Sequence, residues 1–219
     1  MVQVEAHRQL METAIAREEV AHRAALAGDV EASRAAFRAA AAIYRASWEQ
    51  ASPTSFGRLV GMLKAAVLAG DAAEEAAYVE QTLADAEATS PTAAYAQAIA
   101  ALVLGEDRRA RKWAGLMRGP SPAFDRTATA ITALADHDGP GYRAALEEIV
   151  GDFAVREAHL TGVPIADTAL MLEALATPRG LRAGIEDPLM PRLDPIRDGP
   201  PPELAPASPV DPTTPDEES

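Results

Sequence analysis

Cysteine is absent from this chain, which removes disulfide cross-links and thiolate chemistry together and suits a reducing compartment. Aromatic residues make up only 5% of the 219 positions, and lysine occurs only at Lys64 and Lys112. The longest apolar run, Ala98 to Leu104, is far short of the roughly 20 residues that cross a bilayer, so no membrane partner is expected. No glycine-rich loop precedes a Lys-Ser or Lys-Thr pair, and no Gly-x-Ser-x-Gly elbow is present. Phosphate-loop and serine-hydrolase chemistry are therefore not indicated. Neither a cofactor nor a metal set is expected, and the chain reads as a non-enzyme.

Positive charge is also in deficit. A formal charge of −13 opposes a nucleic-acid partner, because binding to phosphate backbones depends on clustered cations that displace counterions. Near the N-terminus, Glu5, His7 and Arg8 stand where a secretory signal requires an uninterrupted apolar core, so a cytoplasmic location is expected.

What is abundant is alanine, at fifty positions, the residue of highest helix propensity and one too small to fill a sheet-based core. Breakers punctuate the chain at Gly28-Asp29, Ser52-Pro53, Gly70-Asp71, Ser90-Pro91, Gly105, Gly119-Pro120, Gly139-Pro140, Gly162 with Pro164, and Pro178. The segments between them have helical periodicity, which predicts an all-α fold of about nine helices. Gly28, Gly70, Gly105 and Gly139 follow one another at intervals of 42, 35 and 34 residues, with proline breaks between. That rhythm matches stacked helical hairpins, each joined by a tight glycine turn.

Two helices show how such a stack would pack. Between Val30 and Ala51, Phe37, Ala41, Tyr44 and Trp48 form one apolar stripe, opposed by a narrow polar stripe of Arg34, Arg38, Arg45 and Glu49. In the preceding helix Glu19 and Arg23 are spaced to pair on a solvated face. Glu19 and His22 also have the Glu-x-x-His spacing of di-iron bundles, but no second copy exists, so coincidence is the expectation.

Val20, Ala21, Gly28-Asp29, Phe37 and Ala40 stand at the packing offsets of a tetratricopeptide repeat, with Ser33 at a small-residue position. This first hairpin resembles that family, and the later ones match it only in their glycines and scattered alanines. The resemblance implies a tetratricopeptide-like α-solenoid over residues 1–190. From Pro191 to Ser219 the chain is acidic and holds nine prolines with almost no large apolar residue, which predicts a disordered tail. Leu181, Ile185 and Leu189 are placed to pin the stretch before it.

The candidate site lies near the end of the helical region. A helix is expected from Gly141 to Leu160, with Tyr142, Leu146, Ile149, Phe153 and Leu160 as its apolar stripe. Asp152, Arg156 and His159 run along the edge of that stripe at i, i+4 and i+7. They are read either as a partner-binding set or as a surface ion pair with a solvated histidine. Thr161 to Pro164 then reads as a helix stop followed by a proline-started helix, with Asp167 in its first turn. Asp167 is a candidate partner contact, with helix capping as its plain role. His7, His22, His137 and His159 lie in different segments. Arg126 is placed to pair with an acid on a neighbouring helix.

The stretch Val163 to Leu170, continuing through Leu175 to Leu181 and closing on Pro188-Leu189-Met190-Pro191, resembles the end of an all-α immunity-protein family of bacterial polymorphic-toxin systems. That resemblance implies a protein that neutralises a toxin by binding it. The alternative is a tetratricopeptide-like scaffold that holds a peptide or helix in a groove within a bacterial multiprotein assembly. Both readings name a protein as the partner.

Overall fold

Helix propensity and breaker spacing are realised as an all-helical chain. A computed structural model describes residues 2–84, 90–119 and 121–193, and the proline-rich stretch from residue 194 onward lies outside the described residues. The helices are α1 (Val2–Leu26), α2 (Val30–Gln50), α3 (Gly57–Ala69), α4 (Ala73–Thr82) and α5 (Pro91–Val103). They continue with α6 (Asp107–Met117), α7 (Pro122–Ala135), α8 (Gly139–Ala154) and α9 (Asp167–Ala176), closed by a 3-10 turn at Thr177–Arg179. There is no strand among the described residues.

Chain neighbours pack on one another: α1 on α2, α2 on α3, α5 on α6, α6 on α7 and α7 on α8. Helices α3, α5 and α7 also touch in a row, and α4 packs against α3 and α5. Every residue of α5 from Ala93 to Leu102 is buried, since this helix has neighbours on all sides and alanine keeps its girth small. In α2 the stripe Phe37, Ala41, Tyr44 and Trp48 is buried as its spacing predicts. Each large side chain in it contributes about 1.5–3 kcal/mol of burial. Of the tetratricopeptide-type positions, Ala21, Ser33, Phe37 and Ala40 are fully buried, whereas Val20 is 49% exposed and packs no hairpin.

The hairpin turns share one hydrogen-bonding scheme. At Gly28, Gly70 and Gly105 the backbone is left-handed, with φ of 76°, 85° and 75°. In each, the glycine N–H and the next N–H bond back to carbonyls of the preceding helix. The fourth turn departs from expectation. Gly139 is the first residue of α8, and the left-handed position falls to His137, with φ 56°. His137 N–H donates to Leu134 and Asp138 N–H to Ala133, while the Asp138 side chain caps α8 at Gly141.

Two further expectations are corrected downstream. Helix α8 ends at Ala154, short of Leu160, and Leu160 is 70% exposed. The chain leaves the helix to turn inward, burying Thr161, Val163 and Ile165 around a left-handed Gly162. Helix α9 starts at Asp167 rather than at Pro164, and it is buried nearly all round.

The last helix does not simply extend the stack. It packs against α3, α7 and α8, and so touches two members of the α3, α5, α7 row. Polar contacts pin it: Tyr142 of α8 donates to Glu173 at 3.0 Å, and Glu173 also accepts from the Ala183 and Gly184 amides at 2.8 and 3.0 Å. Arg179 reaches Asp107 and the Leu102 carbonyl. The segment after the 3-10 turn runs back along the core through Leu181, Ile185 and Leu189, and the Leu189 carbonyl accepts from Ala166 N–H just before α9. Leu193, inside the stretch read as tail, also packs on the core.

Candidate functional site

Helical periodicity puts Glu18 and His22, one turn apart, on the inward face of α1, while Glu19 and Arg23 pair outward at 2.7 Å. The buried carboxyl of this turn is therefore that of Glu18. Tyr44 donates to it at 2.8 Å. That approach depends on Gly61 of α3, where a Cβ would lie 2.8 Å from the Tyr44 ring. Burial pushes the Glu18 carboxyl up to about 7, against the pull of nearby Lys64. Burial brings His22 down to about 4, so this histidine is neutral at physiological pH.

Beyond these groups, Lys64 of α3 and Asp167 of α9 form an ion pair at 2.5 Å, and Lys64 also donates to Thr168 at 3.2 Å. Burial alone would lower the lysine and raise the aspartate, but each charge holds the other, so Lys64 lies above its ordinary value and Asp167 below. Asp167 is thus an inter-helix ion-pair partner. It also accepts from its neighbour Thr168 N–H, and no side chain caps α9 at Ala166.

A cavity of about 250 Å³ opens beside this pair, bounded by α3, α5, α7, α8, the segment after α8 and the start of α9. All four residues singled out from the sequence, Asp152, Arg156, His159 and Asp167, line it. His22 and His159, far apart in the chain, meet there as well. Asp152 accepts from Arg156 at 2.6 Å and from Arg126 of α7, the neighbouring-helix pair left open by the sequence. Burial works to raise Asp152, but Arg156 and Arg126 hold it below the ordinary carboxylate value. The Arg156 guanidinium also lies 3.7 Å over the Phe153 ring, so the surface ion pair is realised, whereas the histidine read as solvated is half-buried.

Several polar groups at the cavity remain without partners. Tyr95 is 8% exposed, and its hydroxyl makes no hydrogen bond although Thr168 is close. The His159 Nδ1 is likewise buried and unpartnered. At the mouth stands the segment that leaves α8, where Val155 is 80% exposed and Leu160 70%.

His22 Nδ1 lies 2.9 Å from Thr161 Oγ1, a base-to-hydroxyl contact, but that oxygen also accepts from Val163 N–H and no carboxylate is hydrogen-bonded to the imidazole. The pair locks the 161–163 turn onto α1. Among the described residues, no three His, Asp or Glu side chains group as metal ligands. None of the described helices is long and apolar enough to cross a membrane.

Lys64, Tyr95 and Glu18 carried no signal in the sequence beyond the rarity of lysine. A lysine inside the otherwise apolar run Leu59 to Leu68 was the one available clue. No protein-family model, curated protein or solved structure matches this chain, and the tetratricopeptide and immunity-protein resemblances rest on the residues quoted for them.

Proposed function

We propose that the protein acts by binding a protein partner at the mouth of this cavity, without catalysis, in the manner of an immunity protein that neutralises a bacterial toxin. One observation carries the reading. Val155 and Leu160, the two most exposed large apolar side chains among the described residues, sit on one short segment beside Arg156, Asp152 and His159. Exposed apolar side chains beside an arginine and an acid fit a contact surface, with Arg156 the residue type that binding hot spots favour. Asp167 contributes from within, by fixing the start of α9. The scaffold alternative needs an open inner face on a tetratricopeptide-like array, and α9 packs against the α3 and α7 helices that would supply it.

The test is site-specific photo-crosslinking in cells of the source organism, with the crosslinker at position 155 or 160 and, as control, at the exposed position 31. A single protein captured at 155 and 160 but not at 31 is then purified, and its affinity measured against Val155→Asp. The reading expects a loss of about tenfold or more in affinity and relief of the partner's toxicity by the unsubstituted chain. A binary complex indifferent to Val155→Asp and Leu160→Asp together would place the interface elsewhere. A partner that is not toxic would favour the scaffold.

A further inference from the structure

We infer that the cavity is itself a binding site for a small carboxylic acid with an apolar body, a role separate from the partner surface at its mouth. The argument begins with charge. Two guanidinium groups, Arg126 and Arg156, converge on the single carboxylate of Asp152, while Lys64 and Asp167 neutralise each other. One positive charge is left over on the wall of a cavity within a chain of net charge −13. A cation is disfavoured by that surplus. A dianion such as phosphate meets both Asp152 and Asp167, so a monoanion fits best.

Hydrogen-bonding capacity points the same way. Arg126 uses one nitrogen on Asp152 and makes no other hydrogen bond among the described residues, leaving guanidinium donors unspent. The Tyr95 hydroxyl is buried without a partner, and so is the His159 Nδ1. Buried polar groups in folded proteins are ordinarily satisfied, and here two of the exceptions border one cavity beside the spare Arg126 donors. Arg126 and Tyr95 can donate, as can His159 when its Nδ1 carries the proton. An acceptor-only group answers all three, and a carboxylate offers about four lone-pair positions.

The rest of the wall is mixed, with Thr127, Thr161, Thr168 and His22 set among apolar side chains. Phe124, Phe153, Ile149 and Val163 border the cavity, and Tyr95 meets Phe124 edge to face at 5.9 Å. A volume of about 250 Å³ corresponds to roughly eight waters, room for an acid of about ten heavy atoms. Phenylacetate and hexanoate are probes of that size.

The experiment titrates the purified full chain with butyrate, hexanoate, benzoate and phenylacetate, following the arginine Nε–H and histidine ring resonances by NMR. Phenylacetamide and phenethylamine serve as the neutral and cationic controls. At least one acid is expected to saturate and to shift Arg126, Arg156 and His159, with phenylacetamide about tenfold weaker or worse. Tyr95→Phe removes only the unpartnered hydroxyl, so it should keep the melting temperature yet weaken the acid about threefold or more. Failure of all four acids to saturate, equal binding of phenylacetamide, or unchanged affinity in folded Tyr95→Phe would each overturn the assignment. No partner protein is present in the titration, so its result does not depend on the partner-binding proposal.

Discussion

Replacing Glu18 by Gln should expose a pH dependence of stability that the intact protein conceals. In the folded chain the Glu18 carboxyl ionises at about 7 instead of 4.5, so the folded state holds this proton more tightly than the unfolded one. Its stabilising contribution is complete below pH 4.5 and is lost as pH rises toward 7, a slope of about −1.4 kcal/mol per pH unit. His22 runs the other way. Its folded value of about 4 lies below the ordinary 6.5, so its contribution is complete above pH 6.5 and is lost as pH falls toward 4. Between pH 4.5 and 6.5 the slopes are equal and opposite, and the unsubstituted chain should be nearly flat. Asp152 and Asp167 are held below their ordinary value of 3.8 and stay ionised in the folded state across this window.

The magnitude follows from the window. Over two pH units each group contributes roughly 2–3 kcal/mol, a large part of the stability of a small domain. Glu18→Gln should therefore gain about that much stability from pH 4.5 to 6.5, His22→Asn should lose as much, and the double variant should be flat again. Urea unfolding followed by circular dichroism at three pH values and constant ionic strength reads this directly. If both single variants keep the flat profile of the parent, neither group is buried as described and the reasoning fails.

Three further outcomes test the packing. Gly61→Ala should lower stability by about 1–3 kcal/mol, because the new methyl meets the Tyr44 ring, whereas Gly57→Ala, with nothing within 4 Å, should not; denaturant midpoints separate them. In an Asp107→Ala background, which removes the hydrogen-bond partner of the His137 side chain, His137→Gly should raise stability by about 1 kcal/mol, since glycine occupies the left-handed region without the Cβ penalty, and a lower melting temperature there would contradict the turn geometry. Glu173→Ala removes the acceptor shared by Tyr142, Ala183 and Gly184, and should cost about 3 kcal/mol or more while accelerating amide exchange at Ala183 and Gly184. Slow exchange at both amides in the variant would show that another group holds the segment.

Helix positions were legible because their signals are local: alanine content, a capping Asp29 or Ser90, and a glycine where the chain must turn left-handed. Errors came where a local rule had two answers. Gly139 looked like the fourth turn glycine, but Asp138 can cap a helix one residue later, and His137 tolerates the left-handed conformation. The stripe from Tyr142 to Leu160 looked continuous, yet burying Thr161, Val163 and Ile165 outweighed six more residues of helix. Proximity of Asp152, Arg156 and His159 could be read from spacing, whereas the Lys64–Asp167 pair spans more than a hundred residues of chain. Nothing periodic encodes a contact of that kind. The same holds for Glu18, which differs from its exposed neighbour Glu19 only in the direction it faces.

The position of α9 has a consequence for synthesis. A ribosome delivers α1 through α8 before α9 exists, so the α3 face that carries Lys64 must wait in water, or against the nascent chain's surroundings, for its partner from the far end. Repeat arrays whose units touch only their neighbours can consolidate one unit at a time as they emerge. Here the ion pair that completes α3 is supplied by the last helix among the described residues, and closing so long a loop is slow compared with forming local helical contacts. The chain can therefore finish its interior only after translation has passed Asp167, and fragments that stop earlier will display an unmatched lysine and an uncovered apolar face.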